Sequence, residues 1–148
     1  MKTVLRTTVA GCLVAASMFS LHATGAGADN MFQIRTTSKT PEMVAEEFKE
    51  YAEKKKWQFL GVQKVKQGQV TLVKVCIPEI GQQLWPLGLH LSAMLPCGNF
   101  GIYLKDGKTE ISMLHARYMQ AIHPDPAIEK VSAALQPLLL EMLVSVAN

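Results

Sequence analysis

The sequence has little net charge. Its 148 residues include 15 Lys and Arg against 12 Asp and Glu. Two of the basic residues, Lys2 and Arg6, lie in an N-terminal stretch without acids, so residues 29–148 carry 13 basic against 12 acidic side chains, a net charge of +1. A nearly neutral chain without a basic stripe is a poor nucleic-acid binder. Hydrophobic residues make up 49% of the sequence, which excludes intrinsic disorder and provides enough material for a core.

Several motifs of common enzyme classes are missing from the sequence. There is no Gly-x-Ser-x-Gly element, and residues 98–101 do not begin the Gly-x-x-x-x-Gly-Lys pattern of a phosphate-binding loop. The absence of a Cys-x-x-Cys pair argues against a thioredoxin-like oxidoreductase. The sequence also lacks internal repeats and low-complexity segments. Its length is enough for one domain and excludes large multilayer enzymes.

The first 28 residues have the pattern of a secretory signal peptide. Two basic residues precede an apolar run from Val9 to Leu21, and Ala26-Gly27-Ala28 offers a cleavage site. The run is shorter than the roughly 20 residues that cross a bilayer. We therefore expect cleavage near Ala28 and a periplasmic or secreted domain without stable membrane insertion. A lipid anchor on Cys12 is the alternative, although most of the apolar run follows that cysteine instead of preceding it.

Hydrophobic periodicity predicts five strands and two helices in residues 29–148. Each helix begins with a capping residue and a proline: Thr40-Pro41 opens a helix that ends near Lys55, and Asp125-Pro126 opens the C-terminal helix. The strands are expected in residues 29–37, 57–65, 70–77, the end of 89–104, and 109–117, with a hairpin turn at Asp106-Gly107.

This order of elements predicts a single α+β domain with a largely antiparallel sheet of four to five strands and both helices on one face. Trp57, Phe59 and Gly61 are expected to share one side of their strand. Residues 81–88 are expected to be irregular or to form a short helical turn.

The C-terminal helix is unusually apolar. Its wide stripe, with Leu138 to Leu140, Leu143 and Val144, favours burial on two sides and hence a homodimer. The alternative is that one broad sheet covers the stripe. Pro137 lies inside the pattern and predicts that the helix kinks or restarts there.

Three pieces of the sequence resemble a known family. They are the Thr40-Pro41 helix start, Val75-Cys76-Ile77-Pro78, and Leu95-Pro96-Cys97 leading through Phe100-Gly101-Ile102-Tyr103 to Asp106-Gly107-Lys108. From about Ile34 to Leu143 the chain resembles the bacterial and archaeal domain of unknown function 302 (DUF302). The resemblance implies a compact β-α-β(4)-α domain, similar to one copy of the TATA-binding-protein-like fold and often dimeric. Because that family has no settled activity, the resemblance implies no catalytic residue.

Cys76 and Cys97 are the cysteines that remain after signal cleavage. In an oxidising compartment they can form one intramolecular disulfide, and closing a loop of this length typically contributes about 3 kcal/mol. Buried thiols, a ligand site and redox turnover, with Cys97 attacking and Cys76 resolving, are the alternatives. A reactive thiol needs a nearby positive group, for which Lys74 and His115 are candidates.

A soft-metal site is a second possibility. Met113 and His115 lie two positions apart and share one side of a strand, and with Cys97 they supply thioether, imidazole and thiolate ligands that suit a metal such as copper. The alternative is that Met113 packs in the core. His90, Met94, Met119 and His123 are the other members of this loose set, and Glu110 with His115 is the one acid-base pair worth inspection.

The residues therefore predict an exported domain that binds and does not catalyse. Its occupant would be a small-molecule ligand, a soft metal or another exported protein, with Cys76, Cys97 and His115 as the candidate ligand or redox residues. A thiol-based redox protein and a purely structural interaction module are the alternatives.

Overall fold

A five-stranded antiparallel sheet organises the chain. We describe residues 31–94 and 98–148 in a computed structural model. The strands are β1 (Phe32–Thr37), β2 (Gln58–Val65), β3 (Val70–Cys76), β4 (Gly98–Lys105) and β5 (Lys108–Leu114). They lie in the order β1-β5-β4-β3-β2, and each neighbouring pair is antiparallel. The predicted α+β class and the five strands are confirmed.

Four helices accompany the sheet: α1 (Pro41–Lys54), α2 (Pro78–Leu84), α3 (Tyr118–Ile122) and α4 (Pro126–Ala147). The sequence signals for α1 and α4 are confirmed. Thr40 Oγ1 accepts a hydrogen bond from the backbone N–H of Met43 at 3.3 Å, and Asp125 Oδ1 accepts one from the N–H of Ala127 at 2.7 Å. These side chains satisfy amide groups that have no partner within a helix.

The core lies between one face of the sheet and the helices α1 and α4. Along β3 and β5 the residues at alternate positions are buried, with Val73 and Val75 facing the helices from β3 and Ile111 from β5. Phe48 of α1 stacks against Phe100 of β4 with ring centroids 4.3 Å apart. Both long helices therefore pack on the same face of the sheet, as the sequence predicts.

Helix α4 runs from residue 126 to residue 147 without interruption. The expected restart at Pro137 is therefore wrong: the proline is exposed, and the carbonyl that loses its partner can be hydrated. By length and composition α4 is also the one described helix that could cross a membrane, but a core helix passes the same test. Leu135, Leu139 and Leu143 are buried in the protein core.

Residues 81–88, expected to be irregular or to form a short helical turn, are helical up to Leu87. They belong to the end of α2 and to a 3-10 turn at Trp85–Leu87, and a second 3-10 turn follows at Leu89–Met94. Pro78 occupies the first turn of α2, a position that needs no N–H. Leu91 and Met94, three positions apart, face the core from the second turn. Helix α3 is not predicted by the sequence. The last strand is expected to continue to residue 117, but β5 ends at Leu114 and α3 begins at Tyr118.

A β-bulge in β2 overturns one prediction about side-chain direction. Phe59 lies opposite Val75, whereas Gly61 lies opposite Lys74. Leu60 is the extra residue between them. Because Val75 is buried and Lys74 is exposed, Phe59 and Gly61 face opposite sides of the sheet.

Candidate functional site: the open face of the sheet

The second face of the sheet is not packed against the helices. Along β5, Glu110, Ser112 and Leu114 alternate with buried residues and point away from α1 and α4. The strand register aligns them with further outward-facing residues on every strand. We call this surface the open face; its members include Phe32, Ile34, Gly61, Leu72, Tyr103, Gly101, Ser112 and Leu114.

Large apolar side chains are concentrated at the β1–β5 side of the open face. Phe32 is 58% exposed and lies directly opposite Leu114, which is 41% exposed. Ile34, 47% exposed, is the next outward-facing residue of β1. Contiguous exposed apolar surface of this kind is typical of a binding surface, whereas isolated exposed hydrophobic residues are common on any protein.

The centre of the open face is made of small residues. Gly101 of β4 lies opposite Ser112 of β5, and the Ser112 hydroxyl donates a hydrogen bond to the Gly101 carbonyl at 3.3 Å. Ile34 flanks Ser112 on one side, and Leu72 flanks Gly101 on the other. A Cβ atom at position 101 would lie 3.0 Å from Ser112 Oγ. The face is therefore lowest at Gly101 and Ser112, between the larger side chains of Ile34 and Leu72.

Cys76 lies on the open face at the end of β3. Its side chain is half-buried, it lies opposite Gln58, and Lys74 faces the same way two residues earlier. Cys97 lies outside the described residues, so the disulfide and the redox pair stay predictions. The last described pair of the β3–β4 ladder is Val75 with Gly98.

His115 is engaged with the backbone. The backbone N–H of His115 donates a hydrogen bond to the carbonyl of Met31 at 2.7 Å, and the ring nitrogen Nδ1 accepts one from the backbone N–H of Arg117 at 3.1 Å. Burial lowers the pKa of His115 below its usual 6.5, and the nearby charge of Arg117 lowers it further. Because Nδ1 accepts a hydrogen bond, the proton of the neutral ring lies on Nε2, which can donate a hydrogen bond to a ligand.

The soft-metal candidates are only partly described. Met113 is 3% exposed and belongs to the hydrophobic core, and Cys97 lies outside the described residues. Within residues 31–94 and 98–148, no group of three or more His, Cys, Asp or Glu side chains could hold a metal ion. The set of Met113, His115 and Cys97 stays a prediction.

Glu110 and His115 are not brought together. Glu110 points to the open face, where its carboxylate lies 3.4 Å from Lys105 Nζ, whereas His115 lies beyond the end of β5, five residues further along an extended strand. On the open face, burial raises the pKa of Tyr103, and the hydrogen bond and negative charge of Glu110 raise it further. This carboxylate thus belongs to a surface network with Lys105 and Tyr103.

The fold does bring together two histidines that sequence spacing leaves apart. His90 and His123 have ring centroids 6.4 Å apart, with ring planes at 76°. No local pattern joins positions 33 residues apart. Only the packing of the turn at Leu89–Met94 beside α3 does so.

A comparison with solved structures identifies a protein with the same fold. It is an uncharacterized conserved DUF302 protein from Bacillus stearothermophilus, with a TM-score of 0.70 and 17% sequence identity; the match covers 80% of this chain and 98% of that chain. No protein-family model matches the sequence, and a comparison with curated proteins also found no match. The fold implied by the sequence resemblance is confirmed.

Proposed function

We propose that this chain, which has the fold of a DUF302 protein, is an exported member of that family that acts by binding, and that its open face binds a second copy of itself. The signal pattern of residues 1–28 supports export. The fold match over nearly the whole solved DUF302 chain, together with the sequence resemblance, supports the family.

The observation that carries the proposal is the apolar surface of the open face. Phe32, Ile34 and Leu114 expose large side chains next to one another at one end of the sheet. Removing such a surface from water is favourable by about 25 cal/mol per Å² of apolar area. A second copy fits a nearly neutral chain, because two identical faces with little net charge do not repel each other.

The C-terminal helix supports dimerisation less well than its sequence suggests. Most of its apolar stripe packs inside the domain, including Leu139 and Leu143. What remains outside is a groove of about 500 Å³ along Pro137, Leu140 and Val144. One broad core therefore accounts for most of this helix, and the open face is the better candidate interface.

Sedimentation velocity of the purified protein tests the proposal. We expect a dimer for the unaltered chain and a monomer for Ile34→Lys and Leu114→Lys, since a charge in the interface has to be desolvated. Ile122→Lys is the matched control, because Ile122 is 63% exposed and lies on α3, which packs against α4 and not against the open face. Circular dichroism checks that each variant is folded. A monomeric unaltered chain, or equal dissociation by the control, would contradict the proposal.

Export has its own test. Expression of the full chain in a bacterium, followed by N-terminal sequencing of the periplasmic fraction, is expected to give a chain that begins at Asp29. A chain that keeps its first residues in the cytoplasmic fraction would show that this part of the proposal is wrong, without affecting the interface.

We also propose that Cys76 and Cys97 form a disulfide. The β3–β4 register supports this pairing: Val75 lies opposite Gly98, and Cys76 and Cys97 are the neighbours of these two residues in the sequence, so a ladder continued by one pair would set them opposite each other. Directly opposite residues of an antiparallel pair have Cα atoms about 4.5 to 5.5 Å apart, within the range of disulfides.

The intact mass of the protein after alkylation under denaturing, non-reducing conditions counts the thiols. We expect no adducts and a mass lower by two hydrogens, whereas two adducts would contradict the disulfide. Treatment with a mild reductant then distinguishes a structural disulfide from a redox-active one. A structural disulfide resists mild reductant, and a disulfide that turns over is reduced by it.

A further inference from the structure

His90 and His123 form a pair at the surface of the domain. His90 belongs to the 3-10 turn Leu89–Met94, and His123 directly follows α3. Both side chains are exposed, and their ring centroids lie 6.4 Å apart. Neither imidazole forms a hydrogen bond with another described residue. Their ring nitrogens are therefore available to a ligand.

The two segments that carry the histidines are fixed to each other. The Tyr118 hydroxyl at the start of α3 donates to the carbonyl of Met94 at the end of the turn, at 2.9 Å. Met94 and Met119 anchor their segments in the core. The N–H of His123 donates to the carbonyl of Met119 at 2.9 Å, which fixes the backbone of His123 to α3. The backbone segments that carry the two histidines are therefore held in place relative to each other.

Gly88 positions the ring of His90. A Cβ atom at position 88 would lie 2.7 Å from Cε1 and 2.8 Å from Nδ1 of His90. The imidazole therefore rests directly on the glycine backbone, and any side chain at position 88 would displace it.

The residues near His90 in the sequence carry no charge that would compete with it for a metal ion. Residues 80–104 include no Asp, Glu, Lys or Arg. His90 is therefore the one group in this stretch that combines a strong metal-binding nitrogen with exposure. Neutral imidazole is the form that binds a metal.

We propose that His90 and His123 together bind one divalent first-row transition-metal ion, with Cu²⁺ bound most tightly. An ion held by two imidazole nitrogens at about 2.0 Å each places the ring centroids about 5 to 6.5 Å apart. The observed 6.4 Å lies within that range, so the His90 ring can stay against Gly88 while the exposed ring of His123 turns a nitrogen toward the ion. Water completes the coordination, and the order of divalent affinities favours Cu²⁺ over Ni²⁺ and Co²⁺.

Titration of the purified protein with Cu²⁺, followed by calorimetry, tests the site. We expect one saturable site in the unaltered chain and a loss of affinity of about tenfold or more in both His90→Ala and His123→Ala. Ser92→Ala, at another exposed position of the turn Leu89–Met94, is the matched control and is expected to keep the affinity. Electron paramagnetic resonance should show imidazole nitrogen coupling that both pair variants lose. Unchanged binding in either pair variant, or an equal loss in the control, overturns the proposal.

A second pair of variants separates ring position from ligand identity. Gly88→Ala keeps both histidines but places a methyl group where the His90 ring lies, so we expect weaker Cu²⁺ binding. Gly68→Ala is the control, since Gly68 also has positive φ, at +86°, but has no heavy atom within 4 Å of the added Cβ. If both glycine variants bind Cu²⁺ as tightly as the unaltered chain, the ring position that we assign to His90 is wrong.

Discussion

At the scale of single residues, His115 couples folding to pH. In the folded protein its pKa lies below 6.5, chiefly because burial disfavours the imidazolium and secondly because Arg117 is positive. The unfolded chain therefore binds the proton more tightly than the folded chain does. It follows that the free energy of unfolding falls as the pH falls from 6.5 through the folded-state pKa, and that the full contribution is present above 6.5.

His115→Gln is expected to reduce this dependence. Because glutamine does not titrate, the decrease in melting temperature between neutral pH and about pH 5 should be smaller in the variant than in the unaltered chain. Thermal unfolding at several pH values measures it. Arg117→Gln, which removes one cause of the shift and keeps the histidine, should give an intermediate slope. An unchanged slope in His115→Gln would contradict the assignment.

The residue scale also shows what sequence spacing can and cannot locate. Cys76 at the end of a strand is predictable, because Pro78 stops β3. The side of the sheet that Gly61 faces cannot be predicted from the sequence, because the bulge at Leu60 depends on how β2 pairs with β3. Likewise, no spacing rule pairs His90 with His123.

At the scale of elements, α4 tolerates a proline that a helix normally avoids. Pro137 lies in the middle of the 22-residue helix and is exposed to solvent, so its ring displaces no core side chain. It removes one backbone hydrogen bond and crowds the preceding turn. The buried face of α4, with Leu135 and Leu139 on either side of the proline, holds the helix together at that point.

Pro137→Ala is therefore expected to stabilise the protein. A proline costs up to about 3 kcal/mol relative to alanine in a helix interior, and the exposed position loses little packing. Urea unfolding measures the change. Ala133→Gly, one turn earlier at an exposed position of the same helix, should instead destabilise the protein by about 1 kcal/mol. A loss of stability in Pro137→Ala would show that the proline ring itself contributes to packing.

At the scale of the whole molecule, one core joins the helices to the sheet. Phe48 from α1 and Phe100 from β4 meet at its centre, both fully buried. Residues of α2, α3 and α4 belong to the same cluster. Because the described elements share this one core, we expect the domain to unfold as a unit.

Phe100→Ala is expected to lower the free energy of unfolding by about 3 to 5 kcal/mol, through lost burial and the cavity left behind. Leu104→Ala is the control in the same strand; its side chain is 65% exposed, and its effect should stay within about 0.5 kcal/mol. Far-ultraviolet circular dichroism and tryptophan fluorescence should give coincident unfolding curves. Separate transitions would contradict a single core.

The sequence by itself determined the elements whose signals are local. The caps of α1 and α4, the hairpin turn at Asp106-Gly107 and the alternation along β3 and β5 depend on neighbours a few positions apart, and all of them are present in the structure. The start of α2 at Pro78 and the whole of α3 are not predicted by the sequence, because helices of seven and five residues are too short for a helical period to be recognised.

Only the tertiary structure decided which face of the sheet stays open, where the bulge in β2 falls and which histidines meet. Each of these depends on contacts between residues distant in the chain, such as Ile34 with Ser112 or His90 with His123. Such contacts form when the whole core packs, since burial of apolar surface, and not local backbone preference, selects among the possible pairings. The candidate binding surfaces therefore belong to the fold, whereas the helices and strands that build them can be read in large part from the sequence.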